Sequence, residues 1–261
     1  QSTSKPSSKP TEESTTGAAS QLPPPSTPLP TPGPGMPRAE TYLTGVQLPT
    51  ALRWAPDGRL FFAEVAKGAV RIASNGVLQE EPFVTLKIAR RKETGVLGLA
   101  LDPSFSTNHY VYVFFTAPGR GDEPRENRVE RFTEVDGKAT DRKLIIEDLP
   151  VGICCHNGGR IGFGPDGKLY ILVGDVNERQ FVQGKKRMHG RVLRINADGT
   201  IPDDNPFPGS PIFAIGFRNP WGLDFHPVTG RPYISENGPD NHDEVNLIRS
   251  EEHTSELQSR G

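Results

Sequence analysis

The sequence predicts an all-β protein of the propeller class, and three observations predict it. Gly 28 and Pro 26 in 261 residues exceed ordinary usage, which favours a turn-rich β chain over a helical bundle. Four stretches share one skeleton: an apolar strand, a Pro/Asp/Gly turn, then a strand rich in aromatic and β-branched residues. Their turns recur at spacings from the mid-forties to the low sixties of residues, as four-stranded blades would. A sandwich would carry no such long-range echo, and no stretch sustains a helical period.

Taken in order, residues 1–40 are a different polymer from the rest: rich in Ser, Thr and Pro, with no aromatic residue. So little apolar surface cannot offset ordering entropy, which predicts a disordered, partly polyproline II stalk. Such a stalk would tether a domain to a membrane or wall; a dispensable tail reads the same way. The propeller part is predicted over 41–248. LRWAPDGRLFFAEVAKGAVRIAS alternates around Pro56-Asp57-Gly58 and Lys67-Gly68, and GLALDPSFSTNHYVYVFFT around Asp102-Pro103. RIGFGPDGKLYILVGD repeats the idea around Pro165-Asp166-Gly167, and GLDFHPVTGRPYISENG around His226-Pro227.

Several function classes are excluded early. A formal net charge of −2 gives no electrostatic footprint for nucleic acid, so none is expected as a partner. No apolar run approaches the roughly 20 residues of a membrane-spanning helix. Two cysteines cannot build a disulfide framework or a four-thiolate zinc site. Because Cys154 and Cys155 are adjacent, they form either a vicinal disulfide or a pair of free thiols. The chain starts at Gln1 without a signal pattern, so a removed leader or a missing 5′ end is expected.

Read together, six ordered segments carry a family resemblance: TGVLGLALDPSF, NRVERF, HNGGRIGFGPDGKLYILVGD, GRVLRINADGTIPDDNPF, IFAIGFRNPWGLDFHP and ENGPDNHDEVNLI. Over residues 42–248 the chain resembles the soluble pyrroloquinoline quinone (PQQ) dependent glucose/sorbosone dehydrogenases, including the aldose sugar dehydrogenases. The resemblance implies a six-bladed β-propeller with PQQ over the central channel and a calcium ion bridging it to the protein. Sequence for about three to four blades is present. The last stretch, RSEEHTSELQSRG over 249–261, looks like a sequencing adapter translated in frame. The expectation is therefore a non-native tail, a longer gene, and a fragment that is inactive and prone to aggregate through its open blade edges.

The same resemblance assigns roles to residues. Oxidising an aldose at C1 needs a base that is neutral near pH 7, and His156 matches the family's general base. Gly158 and Gly159 beside it would let a flat cofactor approach the backbone. Asp175 matches the carboxylate that orients this histidine. Arg218 and Asn219 match residues that contact the quinone, the guanidinium stabilising charge that develops as hydride arrives. Further basic residues for the PQQ carboxylates are expected beyond this chain. Gly238 and Pro239 match carbonyl ligands of the calcium, with Glu244 as a further metal candidate. Glu93 stands where family members carry Gln near the quinone, and a carboxylate there should repel an anionic cofactor unless protonated or turned away. Cys154 and Cys155 would form a platform beneath the cofactor or, equally, fill a strand start.

The function implied is oxidation of an aldose to its lactone, with electrons passed to a quinone or cytochrome acceptor in a secreted or periplasmic setting. The alternative is a non-enzymatic propeller like the hedgehog-interacting proteins, recognising a protein or glycan. A WD40-like scaffold would require WD dipeptides, and none is present.

Overall fold

Strands that are sandwiched between two other sheets must be apolar at every position, and YVYVFF and LYILV are such runs. In the computed structural model, which describes residues 39–184, 186–240 and 242–248, both lie at the centre of their sheets. The expected stalk falls almost wholly outside the described residues, and the expected tail wholly so. Contacts divide the chain into Gln1–Thr41 and Tyr42–Gly261, and every strand among the described residues belongs to the second unit.

Four antiparallel sheets follow one another along the chain. The first contains β1 (Pro49–Trp54), β2 (Leu60–Glu64), β3 (Ala69–Ser74) and β4 (Val77–Leu78) in order, with β5 (Val84–Thr85) also pairing β3. The second runs β6 (Val96–Leu101), β7 (Tyr110–Pro118), β8 (Pro124–Val135) and β9 (Lys138–Leu149). The third runs β10 (Gly158–Phe163), β11 (Leu169–Val173), β12 (Arg191–Ile195) and β13 (Ile212–Ile215). The fourth has three strands among the described residues, β14 (Pro220–Phe225), β15 (Pro232–Glu236) and β16 (Glu244–Leu247). These are four propeller blades in sequential meander, in agreement with the expected fold class.

The first strand of each blade faces its neighbours: β6 packs beside β1 and β10, and β10 beside β14. Between blades, side chains interdigitate with a period of two. Val111, Val113 and Phe115 of β7 enter the core shared with the first blade, while Tyr112 and Phe114 enter the core shared with the third. Likewise Leu169, Ile171 and Val173 of β11 face the second blade, and Tyr170 and Leu172 the fourth. That alternation explains why both runs are continuously hydrophobic rather than striped.

Two glycines permit the inner strands to approach. A Cβ on Gly98 would stand 2.0 Å from the carbonyl oxygen of Gly159. One on Gly159, whose φ is +98°, would stand 2.5 Å from Cβ of Leu97. Of the glycine pair after His156, Gly159 thus serves blade-to-blade packing, while Gly158 lies against Leu172 and Gly174 of its own blade; both are buried.

Candidate active site

A hairpin register creates the centre of the site. Gly158 of β10 is paired with Val173 of β11. His156 precedes the first by two positions and Asp175 follows the second by two, so the pleat brings both to the same end and face. The ladder continues past the strands through Gly174 N–H to the Asn157 carbonyl at 3.4 Å and Val176 N–H to the His156 carbonyl at 3.3 Å. Gly174 has no room for a side chain, since a Cβ would lie 1.9 Å from the His156 carbonyl oxygen.

His156 Nδ1 lies 2.7 Å from Asp175 Oδ1, and both side chains are buried. A carboxylate at that distance makes Nδ1 the protonated nitrogen and leaves the lone pair on Nε2. Four non-glycine residues around the pair hold left-handed backbone: Glu93 at φ +48°, His156 at +60°, Val176 at +49° and Asn177 at +68°. Each costs of the order of 1–3 kcal/mol unless its surroundings impose it, most clearly for β-branched Val176. The surroundings do impose it. Asn157 receives N–H bonds from Gly152 (2.8 Å) and Asn127 (3.0 Å), and donates to the Glu93 carbonyl (3.0 Å).

Glu93 is turned toward the histidine loop. Its Oε2 accepts the His156 backbone N–H at 2.7 Å, so it braces the base from behind. This is the turned-away arrangement that the sequence left open, with one carboxylate oxygen bonded to main chain.

Arg218 and Asn219 precede β14, and they join the pair through main chain: the Asp175 N–H donates to the Arg218 carbonyl at 2.7 Å. The Arg218 guanidinium donates to the carbonyls of Asn237 (2.8 Å) and Gly238 (3.0 Å). Beneath it lies a residue that sequence reasoning missed. Glu236, at the end of β15, accepts the Arg218 backbone N–H and, at 3.1 Å, the Asn246 side-chain amide. Burial pushes its carboxyl up to about 7, and the nearby carboxylates of Glu244 and Asp175 add to the rise. Its position before Asn237-Gly238-Pro239 was the available signal. Asn157 and Asn177 were missed too, and adjacency to His156 and Asp175 was the only hint they gave.

Three buried polar atoms here have no hydrogen-bond partner among the described residues: Asp175 Oδ2, Arg218 Nε and Asn219 Oδ1. Buried polar atoms are rarely left unpaired, so this cluster fits a polar ligand such as PQQ. Around the expected calcium ligands, the Gly238 carbonyl accepts from Arg218, and the Pro239 carbonyl accepts from His242 N–H and faces its Nδ1, both at 3.1 Å. Glu244 is exposed at the start of β16, paired in register with Glu236, beside a cavity of about 270 Å³ that Asp243 also lines. No group of three or more His, Cys, Asp and Glu among the described residues is arranged to hold a metal.

Cys154 and Cys155 form a vicinal disulfide, which resolves the alternative left open by the sequence. Cys154 is exposed and Cys155 half-buried. The side-chain amide of Asn177 donates to both sulfurs, at 3.2 and 3.0 Å.

Comparison with known proteins places this geometry in context. The family model described as Glucose / Sorbosone dehydrogenase matches residues 46–253. Quinoprotein glucose dehydrogenase B of Acinetobacter calcoaceticus is 34% identical over 241 residues, covering 80% of this chain and 50% of that protein. Aldose sugar dehydrogenase YliI of Escherichia coli is 27% identical, covering 76% and 56%. Among solved structures, the PQQ-bound form of aldose sugar dehydrogenase from Streptomyces coelicolor superposes with a TM-score of 0.74 at 30% identity, covering 80% of this chain and 62% of that one. The chain thus spans about half the length of the curated relatives it matches.

Proposed function

This chain belongs to the glucose/sorbosone dehydrogenase family, and we propose that the whole protein oxidises an aldose sugar at C1 to the lactone with PQQ as cofactor. The observation that carries the reading is the buried His156–Asp175 pair beside orphaned polar atoms of Arg218 and Asn219. A binding module would have no use for a sequestered acid–base couple, so the geometry favours an enzyme over the hedgehog-interacting alternative. Bound PQQ would supply the two-electron acceptor for the hydride leaving C1.

The residues of this chain supply the rest. His156 Nε2 accepts the C1 hydroxyl proton, and Asp175 stabilises the imidazolium so formed. Glu93 and Asn157 fix the backbone from which the imidazole projects. Arg218, anchored on two carbonyls, and Asn219 would hold the cofactor, the guanidinium facing its most electron-rich oxygens. Calcium would be held by the Gly238 and Pro239 carbonyls through the lone pairs their hydrogen bonds leave over, and the proton transfer at His156 does not depend on it. The proposal extends to a quinone or cytochrome as terminal acceptor. It extends also to a secreted or periplasmic protein tethered through residues 1–40, which only the composition of that segment supports.

The test is reconstitution of the full-length protein with PQQ, calcium, an aldose and a dye acceptor. His156→Gln should lower turnover by about 10²–10⁴-fold while the thermal transition is kept. A variant that retains full activity would remove His156 from the role of base.

A further inference from the structure

The cysteine pair is tied to the base by more than sequence proximity. The contacts form a closed circuit. Asp175 Oδ1 receives His156 Nδ1 at 2.7 Å and also the Asn177 backbone N–H at 2.8 Å. The other end of Asn177 donates to both sulfurs of the disulfide. The disulfide in turn is joined through one peptide bond, at Cys155, to His156. Asn177 is thus the only side chain among the described residues hydrogen-bonded to the sulfurs, and its own amide N–H is bonded to the carboxylate that orients the imidazole. Asn177 holds a left-handed φ of +68°, and Val176 before it lies in the same region.

We propose that Cys154–Cys155 is a redox modification site for dithiols, and that Asn177 is the positioning residue through which the oxidation state of the pair reaches the His156–Asp175 couple. Access is provided by the exposed Cys154. A thiolate of the dithiol attacks one sulfur and forms a mixed disulfide; its second thiolate then displaces that sulfur. Two electrons and two protons pass to the protein, giving two thiols, and the dithiol leaves as its own disulfide. Once the S–S bond is gone, the sulfurs no longer present Asn177 with a joint acceptor. The turn over Asp175–Asn177 loses one of its two anchors, and the imidazole loses a fixed partner. Redox state would then tune the alignment of the base without either cysteine taking part in sugar chemistry. This inference draws on the proposed function only for the role of His156; its readouts require neither PQQ nor sugar.

The experiment counts thiols and follows the His156 imidazole signal by NMR, in the full chain, before and after treatment with dithiothreitol. In wild type, no thiol should titrate before treatment and two after it, and the imidazole signal should move. Asn177→Gly keeps the backbone N–H to Asp175 and tolerates the left-handed φ, while removing only the hydrogen bonds to sulfur. In that variant the disulfide should still reduce, but the imidazole signal should stay where it was. The double substitution Cys154→Ser with Cys155→Ser should reproduce the reduced wild-type signal with no treatment at all, which keeps the test alive should Asn177→Gly fold poorly. Two thiols in untreated wild type, an unmoved signal, or an equal movement in Asn177→Gly would each overturn the proposal. A protein that passes this test yet fails to oxidise any aldose would overturn the functional reading and leave this one standing.

Discussion

Two loops at the ends of neighbouring blades bury a carboxylate, and they do so on opposite terms. In the third blade, Asp175 is buried against His156, so the acid has a group able to carry positive charge 2.7 Å away. In the fourth, Glu236 is buried against a main-chain N–H of Arg218 and the neutral amide of Asn246, with two other acids near enough to raise its proton affinity. The first loop is a finished couple whose backbone is locked from several sides. The second holds a carboxyl that titrates near neutrality, and its carbonyls accept hydrogen bonds from Arg218 and His242. Burial alone does not make a functional acid; what matters is which charge is buried with it.

The contrast can be broken most forcefully at Asp175. Asp175→Asn leaves the shape but removes the charge that holds Nδ1 as donor and stabilises the imidazolium. Turnover of the reconstituted full-length protein should fall by about 10²–10⁴-fold, while Glu236→Gln should leave it within an order of magnitude. Comparable losses in the two variants would erase the distinction between the loops.

A smaller effect is expected from packing. Gly174→Ala forces a methyl into the His156 carbonyl 1.9 Å away, and backbone cannot yield as a side-chain tip does. Unfolding free energy should drop by about 3 kcal/mol, read from urea midpoints. A midpoint equal to that of wild type would mean the third-blade loop is looser than its hydrogen bonds imply.

The smallest effect separates the loops by pH. The Glu236 carboxyl is raised from an ordinary 4.5 to about 7 in the folded protein. Across that window the folded state keeps a proton that the unfolded state has released, so the group's contribution falls as pH rises and stays low above it. Glu236→Gln should flatten the decline and stabilise the protein near pH 8 by about 2 kcal/mol, after allowing for the Asn246 amide having to turn over and accept from the new NH2. Denaturation midpoints measured from pH 5 to 8 check this. An unchanged slope would place the titrating group elsewhere.

How much of this was legible beforehand depends on the distance over which each fact is encoded. The strand–turn–strand units were readable because Pro56-Asp57-Gly58 and Pro165-Asp166-Gly167 announce a turn within three residues. His156 and Asp175 were found because HNGG and LVGD match the family resemblance; that the two meet follows from the hairpin register, Gly158 opposite Val173. Glu236 was hidden because its partner Arg218 lies 18 residues away and in the neighbouring segment of the blade. Glu93 was read as a cofactor neighbour because sequence gives a position but no direction; its carboxylate points to a backbone N–H 63 residues further on. The expected calcium ligands Gly238 and Pro239 rest on matching residues alone, since main-chain carbonyls leave no side-chain signal in a sequence.

The alternation of side chains between adjacent blades has a consequence for how the molecule comes apart. Strand β11 is buried at all five positions, whereas β15 alternates between buried and exposed ones. A strand packed on both faces opens only when two interfaces give way together, so amide exchange should be slowest at β7 and β11. His156 and Asp175 project from the end of the β10–β11 hairpin, so the couple is carried by backbone that seldom opens.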